Sequence, residues 1–130
     1  MHRIAVVSLL AALAIPFGAC SAEQVGKMIS QQELSSAIAG GTKMLLLDVR
    51  TPEEFQGGHI PGAINVPHDG SDDWLRKEGL PPDADIVVYC ESGRRSAIAQ
   101  QVFVKAGFTS VRHLEGDMKA WRECAACAKE

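Results

Sequence analysis

The sequence has no apolar run long enough to cross a bilayer comfortably: Ile4 to Phe17, uncharged throughout, holds 14 residues where ~20 are needed. Surplus positive charge is missing too. Thirteen basic residues face 16 acidic ones for a net charge of −3, which argues against a nucleic-acid partner held by phosphate neutralisation. Internal repeats, low-complexity tracts and an interdomain linker are absent, and 130 residues suit one domain with one core. No cofactor is implied. A metal site is not expected either, because beside a late cysteine pair only His113 offers a plausible further ligand.

What is present begins with an address label. Arg3 gives a positive start, the apolar run follows, and small residues Gly18 and Ala19 lead to Cys20, the layout of a signal peptide over 1–19. Phe17-Gly18-Ala19-Cys20 resembles a bacterial lipobox, in which the cysteine becomes the lipidated first residue; Phe17 departs from the leucine usual there, which keeps cleavage after Ala22 open. The expectation is export to the periplasm or cell envelope, with a possible lipid anchor on Cys20. Removing Arg3 with the leader leaves 12 basic against 16 acidic residues, or −4. In an oxidising compartment nearby thiols pair. Once Cys20 is lipidated or removed, Cys90, Cys124 and Cys127 form an odd set that can keep one thiol free.

Residues 20–27 read as a short lead and 28–130 as the domain. Ser30-Gln31-Gln32-Glu33 is a capping-box pattern opening a helix that closes at Gly40-Gly41, with Leu34, Ala37 and Ile38 on one side. Met44 to Val49 is a compact apolar run that fits a fully buried parallel strand. Thr51-Pro52-Glu53-Glu54 supplies a cap, a first-turn proline and two acids for a short helix ended by Gly57-Gly58. Ala63 to Val66 predicts a short strand, Asp72 to Glu78 one or two helical turns, and Ile86 to Tyr89 a β-branched and aromatic strand running into Cys90. A helix is predicted from about Arg94 to Ala106 on the spacing of Ala97, Ile98, Gln101, Val102 and Lys105. A last strand, Val111 to Leu114, precedes a closing helix from Asp117 to about Lys129. This alternation implies an α/β domain whose parallel sheet is covered on both faces. Ligands of such sheets bind beyond the carboxyl ends of the strands, where Asp48 and Cys90 both fall.

Cys90-Glu91-Ser92-Gly93-Arg94-Arg95-Ser96 carries the chemistry. A sulfur at a strand end, facing the start of a helix, meets unpaired backbone N–H groups and a positive dipole end. Both favour an anion, and thiols so placed ionise more readily than free ones. Arg94 and Arg95 add permanent charge, and Gly93 allows conformations closed to other residues. The blander reading of Cys90 is a small buried hydrophobe. Asp48 and Arg50 read first as a structural ion pair supporting the site, His59 as a hydrogen-bonded turn residue, and Arg95 as substrate or loop support rather than a solvated helix start.

The run from Cys90 to Ser96 resembles the active-site loop of rhodanese-domain sulfurtransferases. Leu47-Asp48-Val49-Arg50, Glu53-Glu54-Phe55, Gly58 to Asn65, Gly107-Phe108 and Leu114-Glu115-Gly116-Asp117 agree with that family in order, so the likeness covers roughly residues 28 to 122. It implies a three-layer fold with a central parallel sheet of about five strands and helices on both faces. It also implies that Cys90 takes sulfane sulfur from thiosulfate or another small anionic donor and passes it, as a persulfide, to a thiol or cyanide acceptor. The amides of Glu91 to Ser96 would hold the persulfide and the departing oxyanion. Six residues from Cys90 to Arg95 match sulfur transfer; related phosphatases use a longer loop. A monomer is expected.

Glu91 cuts against the simplest version, since a carboxylate beside the nucleophile repels dianionic thiosulfate; a protein or small-molecule persulfide then becomes the expected donor. Two other readings stay open: a module that binds persulfide or anions without turnover, and a cysteine-dependent phosphatase or redox enzyme forming a mixed disulfide with Cys124 or Cys127. That Cys-x-x-Cys pair is expected late in a helix, away from the activating end, as a disulfide or as lone thiols.

Overall fold

The computed structural model describes residues 26–127; the expected signal peptide over 1–19 and the lipidation site Cys20 lie outside the described residues. Five strands form one sheet: β1 (Met28–Ile29), β2 (Leu45–Asp48), β3 (Ile64–Asn65), β4 (Ile86–Tyr89) and β5 (Val111–Leu114). Their order is β1-β5-β4-β2-β3, every neighbouring pair is parallel, and all carboxyl ends therefore share one edge. The helices are α1 (Gln31–Ala39), α2 (Pro52–Gln56), α3 (Ser71–Glu78), α4 (Arg94–Lys105) and α5 (Asp117–Glu123), with a single 3-10 turn over His68–Gly70.

Local chemistry accounts for most boundaries. Both capping boxes form: Ser30 accepts from the Glu33 amide while Glu33 reaches back to the Ser30 amide, and Thr51 and Glu54 do the same for α2. Each satisfies two amides that a helix start would leave unpaired. The alternation along β2 and β4 then divides the core. Leu47, Ile86 and Val88 face Ala99 and Phe103 of α4 and Leu75 of α3, whereas Leu46, Val87 and Tyr89 face Leu34 of α1 and Met118 and Trp121 of α5. Phe103 is fully buried, and one such side chain contributes about 1.5–3 kcal/mol.

Three elements differ from expectation. No strand is expected ahead of α1; β1 forms by pairing with His113 and Leu114 of β5. The buried face of α4 is Ser96, Ala99, Gln100 and Phe103, while Ile98 is exposed, because the cysteine loop fixes where the helix starts and hence which residues turn inward. α5 stops at Glu123: Cys124 is extended, with φ −72° and ψ 106°, and the cysteine pair follows the helix instead of lying within it.

Candidate functional site

β4 is buried along its whole length and delivers Cys90 to the carboxyl edge, beside the Asp48 end of β2. The Cys90 amide donates to Asp117 Oδ1 at 2.9 Å, and its carbonyl accepts from the Met118 amide at 3.0 Å. The next carbonyl, of Glu91, accepts from Lys119 at 3.2 Å. The first turn of α5 thus clamps the base of the loop. Above it the chain curls so that the Gly93 amide donates to Cys90 Sγ at 3.0 Å, with Ser96 Oγ 3.3 Å from the same sulfur. Gly93 has φ +112°, and a Cβ there would stand 3.0 Å from Asp117 Oδ2, so this position requires glycine twice over. No side chain caps α4; its first amides and its positive end are left to the sulfur and to any anion bound against it. Cys90 itself is 1% exposed and is the free cysteine among the described residues.

The charged residues of the loop go in different directions. Arg95 turns to α2 and grips Glu54 in a two-pronged contact of 2.6 and 2.9 Å. The Arg95 bond holds the Glu54 carboxyl down at about 2, burial opposing it and the Thr51 amide assisting. Arg95 is raised chiefly by Glu54, against desolvation, with a further contribution from the Cys90 sulfur, which places the guanidinium between carboxylate and thiol. Glu91, expected to face the donor, is held sideways by Arg122 of α5 and lies 3.8 Å from Arg50. Its repulsion is thereby largely offset by cations the sequence did not place near it. Ser92 and Arg94 are exposed at the rim.

Asp48 and Arg50 form a buried ion pair, 0% and 2% exposed. Arg50 meets both carboxylate oxygens, at 2.7 to 3.1 Å, and donates to the Gly58 carbonyl at 2.8 Å. Burial would lower the Arg50 guanidinium, but Asp48 more than reverses this. The Tyr89 ring lies under Arg50 at 5.9 Å, and its hydroxyl accepts from the Ile60 amide at 3.1 Å. The pair is therefore a support that fixes the chain after β2 against the loop. His59 bonds the Phe55 carbonyl at 2.9 Å and stacks on the Phe55 ring.

In the sequence His113 and Asp117 are named but not brought to the cysteine loop. His113 of β5 and Asp117 of α5 meet behind the loop, with Nε2 at 3.0 Å from each carboxylate oxygen. Ser96 Oγ lies 2.7 Å from Nε2 and 2.9 Å from Oδ1. Burial raises the Asp117 carboxyl, yet His113, the Cys90 amide and Ser96 together hold it below its ordinary value. The available signal was an aspartate directly after Gly116, four residues beyond a histidine.

Cys124 and Cys127 are bonded to each other, with Cα atoms 5.4 Å apart. Cys127 packs in the α1/α5 half of the core, Cys90 in the α3/α4 half. A cavity of about 480 Å³ lined by Lys43, Leu45, Leu80 and Asp85 opens at the amino ends of β2 and β4, the edge opposite Cys90, and takes no part in its chemistry. No group of metal-ligating side chains occurs among the described residues.

Comparison with known proteins agrees with this architecture. The family described as "Rhodanese-like domain" matches residues 30–124. A sulfurtransferase of Allochromatium vinosum is 37% identical over 93 residues, covering 72% of this chain and 85% of its own. The human thiosulfate:glutathione sulfurtransferase is 32% identical over 107 residues, 73% of this chain and 92% of its own. The solved human single-domain sulfurtransferase TSTD1 superposes with a TM-score of 0.71 at 29% identity, over 78% of this chain and 99% of that one. In the probable adenylyltransferase/sulfurtransferase MoeZ of Mycobacterium tuberculosis, 41% identical over 98 residues and 74% of this chain, the match spans 24% of the length.

Proposed function

The chain belongs to the rhodanese-like domain family, and from that premise we propose that it is a sulfurtransferase that carries sulfane sulfur on Cys90. The observation that carries the reading is the placement of Cys90 Sγ, taking the Gly93 amide at 3.0 Å beneath the uncapped start of α4. A sulfur so held has a hydrogen-bond donor and a positive helix end aimed at it wherever negative charge develops.

The Cys90 thiolate attacks the outer sulfur of thiosulfate. A new S–S bond forms, the old one breaks, and sulfite leaves with the electron pair. An acceptor thiolate or cyanide then attacks the outer sulfur of the Cys90 persulfide, and the Cys90 thiolate departs. Each half is a displacement at sulfur, so no oxidant or metal enters the balance. The loop amides supply fixed dipoles where negative charge moves. Arg94, exposed and outside the ion pairs of the described residues, is the cation available to meet the donor. Arg122 and Arg50 draw the Glu91 charge aside, which supports an anionic donor. A thiol acceptor agrees with the name of the human relative. The leader-like first residues, and a Cys124–Cys127 disulfide suited to an oxidising compartment, support action in the cell envelope.

The test is direct: protein incubated with thiosulfate should gain one sulfur atom by intact mass, release sulfite in equal amount, and do neither as Cys90→Ser. Loss of neither, or failure of the parent to gain sulfur from thiosulfate and from glutathione persulfide alike, rejects the activity.

A further inference from the structure

Asp117 is the residue in the described chain, glycine apart, whose backbone lies in the left-handed region, at φ +53°. Aspartate adopts that conformation more readily than most residues, but it persists only where surroundings enforce it. Here the enforcement comes from the nucleophile itself. The 2%-exposed carboxylate accepts the Cys90 amide at 2.9 Å and the Ser96 hydroxyl at 2.9 Å. Both oxygens lie 3.0 Å from His113 Nε2. Carboxylate oxygens only accept, so Nε2 carries a hydrogen and donates. The apex of the loop rests on the same two side chains, since a Cβ at Gly93 would be 3.0 Å from Asp117 Oδ2 and 3.6 Å from His113 Cε1.

A buried negative charge directly behind the Cys90 amide opposes an anionic sulfur in front of it, and the low polarity of the surroundings strengthens that opposition. The imidazole is the counterweight. Arg122 is engaged by Glu91 and Arg112 by Asp85, while Arg95 is shared between Glu54 and the sulfur itself. Ser96 has one proton and four neighbours within reach: Asp117, His113, the Gly93 carbonyl and Cys90 Sγ. With Nε2 donating to the same carboxylate, Asp117 is shared between the imidazole and the Ser96 hydroxyl.

We infer that Asp117 and His113 are positioning residues for Cys90: the carboxylate holds the nucleophile's backbone in place, and the imidazole, by donating to that carboxylate, offsets part of the electrostatic penalty it imposes on the sulfur anion. The inference rests on Cys90 being the nucleophile, as in the proposed function, but not on the identity of the donor.

Alkylation of Cys90 by iodoacetamide, followed by peptide mass in the full chain with its disulfide intact, tests it without any sulfur donor. His113→Leu, which removes the donor and leaves the carboxylate, should react about tenfold more slowly than the parent. Asp117→Asn, which removes the opposing charge and tolerates the same backbone, should react faster than the parent. The double variant should outpace His113→Leu. Simple support of the fold predicts the opposite order, with all three slowed and the double variant slowest, and that order overturns the inference; so does His113→Leu reacting at the parental rate. If His113→Leu fails to fold, Asp117→Asn decides alone, because a rate equal to or below the parent's overturns the idea. The expected order without sulfur uptake by the parent would reject sulfur transfer and leave the pair's role standing. Sulfur uptake without that order would do the reverse.

Discussion

The guanidinium of Arg95 and the carboxylate of Glu54 meet in a two-pronged contact across 41 residues of chain. One belongs to the cysteine loop and the other to α2, so the helix after β2 is fastened to the helix after β4 at the edge that carries Cys90. On the proposed reading, Arg95 is held by Glu54 beside the sulfur, and Arg94 is the cation expected to meet the donor.

That contact has a pH signature. Glu54 is held at about 2 against an ordinary 4.5, so its contribution to stability is complete above pH 4.5 and is lost as pH falls through about 2. Glu54→Gln should cost about 1 kcal/mol at neutral pH, the scale of a partly exposed pair. Urea melts of parent and variant should differ by that amount at pH 7 and converge as the pH approaches 2.

If thiosulfate is the donor, Arg122 should set how much of the Glu91 charge it meets. With Arg122→Ala the Glu91 carboxylate loses its stronger partner, and KM for thiosulfate should rise roughly two- to fivefold while kcat changes less. Glu91→Gln should lower KM. Steady-state assays at low and high salt check the cause, since added salt should shrink both effects.

Asp48→Asn leaves the buried Arg50 guanidinium without its counter-charge. The expected loss is about 3–5 kcal/mol in global stability, read from urea denaturation. The loss should exceed that of any exposed ion pair in the molecule.

The disulfide is expected to brace the fold rather than take part in the reaction. It closes a short loop beyond α5, and replacing both Cys124 and Cys127 with serine should cost about 2 kcal/mol on the chain-entropy estimate. Sulfur uptake at Cys90 should continue at the parental rate once the variant is folded, as measured by intact mass over time.

Local signals carried much of the architecture. Ser30 with Glu33, and Thr51 with Glu54, announced two helix starts through bonds made within four residues, and the β-branched run Ile86 to Tyr89 led directly to Cys90. What stayed hidden depends on distant partners. The two residues of β1 become a strand only against β5. The inward face of α4 follows from how the loop is seated. Glu91 read as an obstacle because Arg50 and Arg122 stand far from it in sequence. His113 and Asp117 read as part of one strand and the start of the next helix, since nothing local shows that both meet behind the loop of another strand.

The sheet order places β4 in the middle of five strands, with β5 on one side and β2 on the other. The two-residue strands β1 and β3 form the margins. Thermal breathing begins at such margins, where hydrogen bonds have water on one flank. Cys90 is carried by the part of the molecule that opens last, so the reacting atom keeps its alignment while the borders of the fold loosen and re-form around it.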